Sequence, residues 1–445
     1  MGRMSEHQLF SDTEIAIRSE MYASLNQVEL LKNLKLPYCC LTNETLVGLL
    51  PSFINLQELN ISRVGSGAVG DNCLWILGTH CKHLRYLNVN YCIMVTDFGI
   101  QGLCIDYLER ENDGDEQQAS KRRKVDHSGM RGTPARLSNS LQTLCLKRTQ
   151  VTKKGIQEAL QKLRSLRILK HASTVKVLGE MHNEDGENDE ISNRISKYAL
   201  SKLKIYNNDC QTTRNCLWKA VSLCPLVTAL NIGFTIGNFL RNEMYTDGYI
   251  DSILYVIGNS LEELSLKLFQ NSKIRTIIDC CPNLRILKLC FSNSALTEEP
   301  LEFSDIKERK TLKKLEELAI YFDGISSENL ITLMSSSSLK SLKVDNCDTF
   351  TDDIIQKTSN LHLFSNLEHL DVWMCDFVTE EGINVLLQES NPLKRIRIYS
   401  EIGKSLTKEK VEDWKLEFAL KNWQLDIKFY EVTTHEELGV MLLFN

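Results

Sequence analysis

Leu84-Arg85-Tyr86-Leu87-Asn88-Val89-Asn90-Tyr91-Cys92, followed by Val95-Thr96-Asp97-Phe98-Gly99-Ile100, is a phrase that the chain repeats along its length. Its Leu-x-x-Leu-x-Leu spacing suits a strand, because alternate side chains of an extended chain share a face and can turn into a core. The same triple stands at Leu31/Leu34/Leu36, Leu56/Leu59/Ile61, Leu141/Leu144/Leu146, Leu166/Leu169, Leu200/Leu203/Ile205 and Val227/Leu230/Ile232. It continues at Leu261/Leu264/Leu266, Leu284/Leu287/Leu289, Leu315/Leu318/Ile320, Leu339/Leu342/Val344, Leu367/Leu370/Val372 and Leu393/Ile396/Ile398. A unit of roughly 25 residues cannot close its apolar face alone, so neighbouring units must stack into a solenoid. A solenoid is a surface for holding something.

The residues after each strand carry a second periodicity. Cys39, Cys92, Cys347 and Cys375 share one phase, with Thr149, Asn208 and Ser292 elsewhere. A small polar side chain there can bond backbone groups that face inward and still let repeats approach closely. Thr42, Thr96, Thr152, Thr351 and Thr379 each precede a short apolar-periodic run. Such threonines cap helix starts, and Asp97, Asp352, Glu380 and Glu381 add charge that suits the helix dipole. The unit reads strand, turn, capped helix. The expected fold is therefore an α/β leucine-rich-repeat solenoid of about a dozen repeats, a horseshoe with a parallel concave sheet and convex helices.

Three stretches resemble the cysteine-containing subtype of leucine-rich repeat found in F-box/leucine-rich-repeat proteins. They are Cys81 to Asp97, Cys280-Cys281-Pro282-Asn283-Leu284 to Leu289, and Leu367 to Thr379 with Cys375. The resemblance covers residues 31 to 430 and implies a substrate-recognition subunit of a cullin-based ubiquitin ligase. In that family the F-box docks the adaptor while the solenoid holds the protein to be modified. Residues 1–30 depart from the pattern: Ile15, Ile17, Met21, Leu25, Val28 and Leu31 suit one amphipathic capping helix, not a proline-led F-box. An isoform without its F-box, a divergent F-box protein and a relative that never used one all remain open. So does a cytosolic binding scaffold or inhibitor unrelated to ubiquitin, although the repeats of the ribonuclease-inhibitor kind are longer and alternate in length.

Composition fits an intracellular scaffold. The 445 residues are 42% hydrophobic, and a solenoid adds core linearly as it lengthens, so one elongated domain is sufficient. A net charge of -6 argues against broad binding to nucleic acid or anionic membranes. No apolar run approaches the roughly 20 residues that span a bilayer, and the start at Met1-Gly2-Arg3 has no leader character. Fifteen cysteines without a secretion signal read as free thiols in a reducing compartment, the cytoplasm. A chain monomeric in isolation is expected.

Two polar stretches interrupt the repeat, near 109–139 and 179–193, and are expected to loop out without order of their own. The first turns from acidic to basic at Lys121-Arg122-Arg123-Lys124, which resembles a nuclear localisation signal; a solvated loop balancing its acidic neighbour is the plainer alternative. The solenoid is expected to end in a strand at Leu425-Asp426-Ile427-Lys428-Phe429, with a tail over 431–445.

Nothing in the sequence calls for catalysis, metal or cofactor. The adjacent pairs Cys39-Cys40 and Cys280-Cys281 lack a second metal-ligand pair, and the nine histidines show no His-Glu-x-x-His spacing. Function is expected on the concave face, where residues between the inward leucines point outward. In the C-terminal repeats these are Tyr321, Lys343, Asp345, His369, Asp371, Trp373, Arg395, Arg397 and Tyr399. Trp, Tyr and Arg are the types enriched at binding hot spots, so a protein substrate is expected to dock near Trp373, Arg397 and Tyr399. The alternative is that these are ordinary exposed strand residues. The N-terminal equivalents Glu58, Asn60, Tyr86, Asn88, Asn90, Thr143 and Lys147 are smaller and more polar.

Overall fold

The computed structural model describes residues 31–65, 67–104, 137–185, 198–205, 210–232, 249–269, 273–291, 310–362, 364–387, 392–401, 406–420 and 423–432. They belong to two compact units, Met1–Leu203 with Asn215–Leu226, and Lys204–Arg214 with Val227–Asn445. The expected cap over 1–30, the basic run Lys121 to Lys124, most of both insertions and the tail beyond 432 lie outside the described residues.

The strands fall where the leucine triples put them. β1 (Asn33–Lys35), β2 (Glu58–Asn60), β3 (Tyr86–Asn88), β4 (Thr143–Cys145), β5 (Ile168–Lys170) and β6 (Lys202–Ile205) come first. β7 (Ala229–Ile232), β8 (Glu263–Phe269), β9 (Ile286–Phe291), β10 (Glu317–Tyr321), β11 (Ser341–Asp345), β12 (His369–Trp373), β13 (Arg395–Glu401) and β14 (Asp426–Val432) follow. Pairing is parallel and in chain order, from β1 to β5 in the first unit, where Ile168 of β5 also meets Lys202 of β6, and from β7 to β14 in the second. Leu59, Leu87 and Leu144 are equivalent in register and buried in the first unit, as are Leu264, Leu287, Leu342, Leu370 and Ile396 in the second. Each such leucine contributes about 2 kcal/mol by leaving water.

Between strands run α1 (Asn43–Leu49), α2 (Asp71–His80), α3 (Asp97–Cys104), α4 (Leu137–Ser140), α5 (Lys153–Lys162), α6 (Thr174–Asp185) and α7 (Cys210–Leu223). The second unit continues with α8 (Tyr249–Ile257), α9 (Ile274–Cys280), α10 (Ser327–Met334), α11 (Asp352–His362), α12 (Glu380–Leu386) and α13 (Lys408–Leu420). The expected threonine caps are in place. Thr42 Oγ1 accepts from the Thr45 amide, Thr152 from Lys154 and Thr379 from Glu381, relieving the unpaired donors of a helix start.

The capping residues also tie repeats together. Asp71 accepts the amide and hydroxyl of Thr96, both at 2.7 Å; Asp97 accepts those of Thr152 at 2.7 and 2.5 Å. Asp352 does the same for Thr379 at 2.9 and 2.6 Å. Each carboxylate lies against the glycine three residues beyond that threonine, Gly99, Gly155 or Gly382, where an added Cβ would collide with it. That is why the repeat reads Thr-x-x-Gly at these three helix starts.

One expectation needs correction. α6 continues to Asp185, into the stretch from 179 expected to loop out. Val175, Val177, Leu178 and Met181 are buried, and Gly179 lies against Cys216, so apolar packing carries the helix into the acidic segment.

The cysteines serve packing. The Cys92 thiol donates to the Ile61 carbonyl at 3.3 Å, Cys375 to Trp373 at 3.3 Å and Cys81 to Phe53 at 3.4 Å. Burial pushes the Cys92 thiol up to about 11 and the Cys81 and Cys347 thiols up to about 12, far from the thiolate that a nucleophile needs. All cysteines whose side chains are described are free.

Candidate functional site

Strand register builds the candidate site. Ser341, His369, Arg395 and Asp426 align across β11 to β14; so do Lys343, Asp371, Arg397 and Lys428. The third row is Tyr321, Asp345, Trp373, Tyr399 and Tyr430 across β10 to β14. These rows alternate with the buried leucine rows, so they occupy the opposite, outer face of the sheet. All nine residues expected from the sequence lie on that face, within four adjacent strands.

Their exposure differs from what the sequence suggested. Trp373 is only 2% exposed and Tyr399 6%, so neither is an ordinary exposed strand residue. Parallel strands lie about 4.8 Å apart, which sets aromatic rings at equivalent positions at stacking distance. Trp373 stacks on Tyr399 with ring centroids 3.7 Å apart, and Tyr399 on Tyr430 at 4.4 Å. Lys343 Nζ covers the other end of the stack, 4.2 Å from the Trp373 ring and 5.1 Å from Tyr321. Tyr430 lies one residue beyond the Leu425-to-Phe429 segment that the sequence marks as the final strand. One more residue of alternation would have placed it beside Tyr399.

Charge on this face is crowded and partly dry. Burial pushes the Asp345 carboxyl up to about 6 despite the opposing pull of Lys343. Burial also holds the Lys343 amine below its usual value, against the influence of Asp345 and Asp371. Both shifts say that desolvation outweighs the attraction of unlike charges here. The same cause lifts the Tyr321 phenol to about 12. Arg397 Nε stands 3.9 Å from Asp371 Oδ1, an ion-pair distance too long for a hydrogen bond.

Among the described residues, four enclosed polar atoms on β12 and β13 have no hydrogen-bond partner: His369 Nδ1, Asp371 Oδ1, Trp373 Nε1 and Arg395 Nε. An unsatisfied buried group costs about 1–3 kcal/mol, and such groups are few in a folded protein. Four of the six such atoms found among the described residues lie on these two neighbouring strands.

Among the described residues no group of His, Cys, Asp and Glu could hold a metal ion. Among them, too, no helix is long and apolar enough to cross a membrane.

The repeated strand, the threonine-capped helix and the parallel register together decide the class. This is a leucine-rich-repeat protein. No family model matches the chain. It is similar to F-box/LRR-repeat protein 4 of Bos taurus, 31% identical over 164 residues, which make up 36% of this chain and 25% of that protein. The match thus spans about a quarter of that relative's length. Among solved structures it is similar to the yeast Rad7 and Elc1 complex, with a TM-score of 0.45 and 16% identity over 92% of this chain and 97% of that one.

Proposed function

We propose that this leucine-rich-repeat chain is a substrate-recognition subunit in ubiquitin-dependent protein degradation, working with a cullin-ligase adaptor. It acts in the cytoplasm by holding a protein, without chemistry of its own. The substrate docks on the outer face of β11 to β13. The observation that carries this reading is the group of unpaired polar atoms at His369, Asp371, Trp373 and Arg395, lying over and beside the aromatic stack. A partner that offers an acceptor to Trp373 Nε1 and Arg395 Nε and a donor to Asp371 supplies hydrogen bonds that these atoms lack among the described residues. Lys343, Asp371 and Arg397 are half-buried around the stack and supply directed charge, while Trp373 and Tyr399 supply a rigid floor. The assignment to ubiquitin ligases rests on the repeat's resemblance to F-box/leucine-rich-repeat proteins and on the similarity to the bovine relative.

Affinity purification of the full chain from cells, beside a Trp373→Phe variant, tests both parts. The expected result is a cullin, its adaptor and a dominant third protein with the native chain, and loss of that third protein alone with the variant. A dominant partner without cullin or adaptor would leave a binding scaffold and remove the ligase assignment. Partner capture unchanged by Trp373→Phe would move the docking site elsewhere.

A further inference from the structure

The first unit carries a different surface, one repeat position further along. Tyr38, Arg63, Tyr91 and Arg148 each stand four residues after the central leucine of β1, β2, β3 and β4, and each has a positive φ, between 56° and 65°. Non-glycine residues rarely adopt this left-handed conformation. Here the ladder enforces it: the Tyr38 amide donates to Ser62 O, Arg63 to Asn90 O and Tyr91 to Lys147 O, at 3.2, 3.0 and 2.7 Å. Four such residues on consecutive strands set their side chains in a row at the spacing of the sheet.

The row alternates aromatic and cationic groups. Arg63 Cζ lies 3.9 Å from the Tyr91 ring centroid and 5.3 Å from that of Tyr38; Arg148 Cζ is 5.4 Å from Tyr91, and Lys147 Nζ 5.9 Å. Arg63, Lys147 and Arg148 are exposed, and Tyr38 is 56% exposed. None of the three cations forms an ion pair among the described residues. Lys35 on β1 and Lys170 on the neighbouring β5 add positive charge, with Glu58 on β2 as the acid among these strands. Contact with Arg63 holds the Tyr91 phenol below its ordinary value, with Lys147 adding to the effect.

We propose that this row at Tyr38, Arg63, Tyr91, Lys147 and Arg148 docks an acidic segment of a protein partner. Unpaired cations beside aromatic rings offer carboxylates directed hydrogen bonds and offer neighbouring apolar groups a flat contact. Tyr and Arg together are the composition of protein-binding hot spots. A nucleic acid fits less well: three cations neutralise few phosphates, and a chain of net charge -6 repels a polyanion at longer range.

The test is fluorescence anisotropy on the full chain with a labelled oligoglutamate peptide, an oligolysine peptide and single-stranded oligothymidylate. The expected result is salt-sensitive binding of oligoglutamate alone, weakened roughly tenfold or more by Arg63→Gln with Arg148→Gln. Both arginines are exposed, so this double variant should still melt cooperatively and lose only the cation–ring contacts. Absence of oligoglutamate binding, equal binding by the variant, or tighter binding of oligothymidylate than of the peptide would each overturn the assignment.

Discussion

Asn60 and Asn88 in the first unit occupy the same position, one residue past the central leucine, as Lys343, Asp371 and Arg397 in the second. The outcome differs because of where the polar atoms are satisfied. Asn60 Oδ1 accepts from the Ser62 amide at 3.1 Å, and Asn88 Oδ1 from the Asn90 amide at 3.1 Å. A side chain that takes a nearby amide offers the backbone an alternative to the ladder, and β2 and β3 are three residues long. In the second unit β11 and β12 are five residues long and run on to Asp345 and Trp373. The longer strands carry a third outer row, and that row is where the stack forms. Asn60 and Asn88 spend their side chains on their own turns, whereas His369, Asp371 and Arg395 of the second unit keep buried polar atoms without a hydrogen-bond partner among the described residues.

The largest expected effect tests whether the stack is a structural floor. Trp373→Ala should cost about 3–5 kcal/mol, since it deletes a buried ring at the centre of the row. Chemical denaturation read by tryptophan-independent circular dichroism would measure it. Asn88→Ala, which unpairs only one turn amide, should cost about 1 kcal/mol. Equal losses would break the contrast between the two faces. Trp373→Phe keeps an aromatic ring in the row but removes Nε1–H together with part of the indole, so a large loss of partner capture beside a small loss of stability separates recognition from floor.

Asp345 makes the second unit sensitive to pH. Its folded pKa, about 6, lies above the ordinary 3.8, so the folded state binds its proton more tightly than the unfolded chain does. Stability from this group is therefore greatest below about pH 4 and is lost as pH rises through 6. The shift is worth on the order of 2–3 kcal/mol. Asp345→Asn should remove that slope: the difference in unfolding free energy between variant and native chain should grow from pH 4 to pH 7 in the variant's favour. A difference independent of pH would mean that the carboxyl titrates normally.

How much of this was legible in the residues depends on how far apart the cooperating groups lie in the chain. Each leucine triple predicted its strand because the strand period and the repeat period are both local and both reiterated. The threonine caps were equally legible. The bonds from Asp97 to Thr152 were not, because an insertion separates the partners by 55 positions. Nor was the burial of Trp373, which depends on rings contributed by β13 and β14. The helical continuation past Gly179 was hidden by acidic composition, although Val175, Leu178 and Met181 keep helical spacing. Site residues could be named from alternation alone; whether their polar atoms were already satisfied could not.

A feature shared by both units provides the control. Asp97→Ala in the first and Asp352→Ala in the second each remove two hydrogen bonds to the next helix start. Each should cost about 1–2 kcal/mol, and the two values should agree within the scatter of such measurements. Amide hydrogen exchange should rise at α5 in one variant and at α12 in the other. A large cost in one unit alone would show that the repeats, and not just the outer faces, are built differently.

The smallest effect belongs to the exposed row of the first unit, and its smallness is informative. Tyr91→Leu removes the ring that meets Arg63, Lys147 and Arg148 while keeping an apolar side chain of moderate size. Exposed cation–ring contacts are worth about 0.5–1 kcal/mol, and leucine pays some penalty at positive φ as tyrosine does, so stability should fall by less than about 1 kcal/mol. Binding of oligoglutamate should fall by more than stability does, because without the ring the arginines lose the surface that aligns them. If Tyr91→Leu instead destabilised the chain as much as Trp373→Ala, the row would be a structural column like the stack of the second unit, and its cations would have no need of a partner.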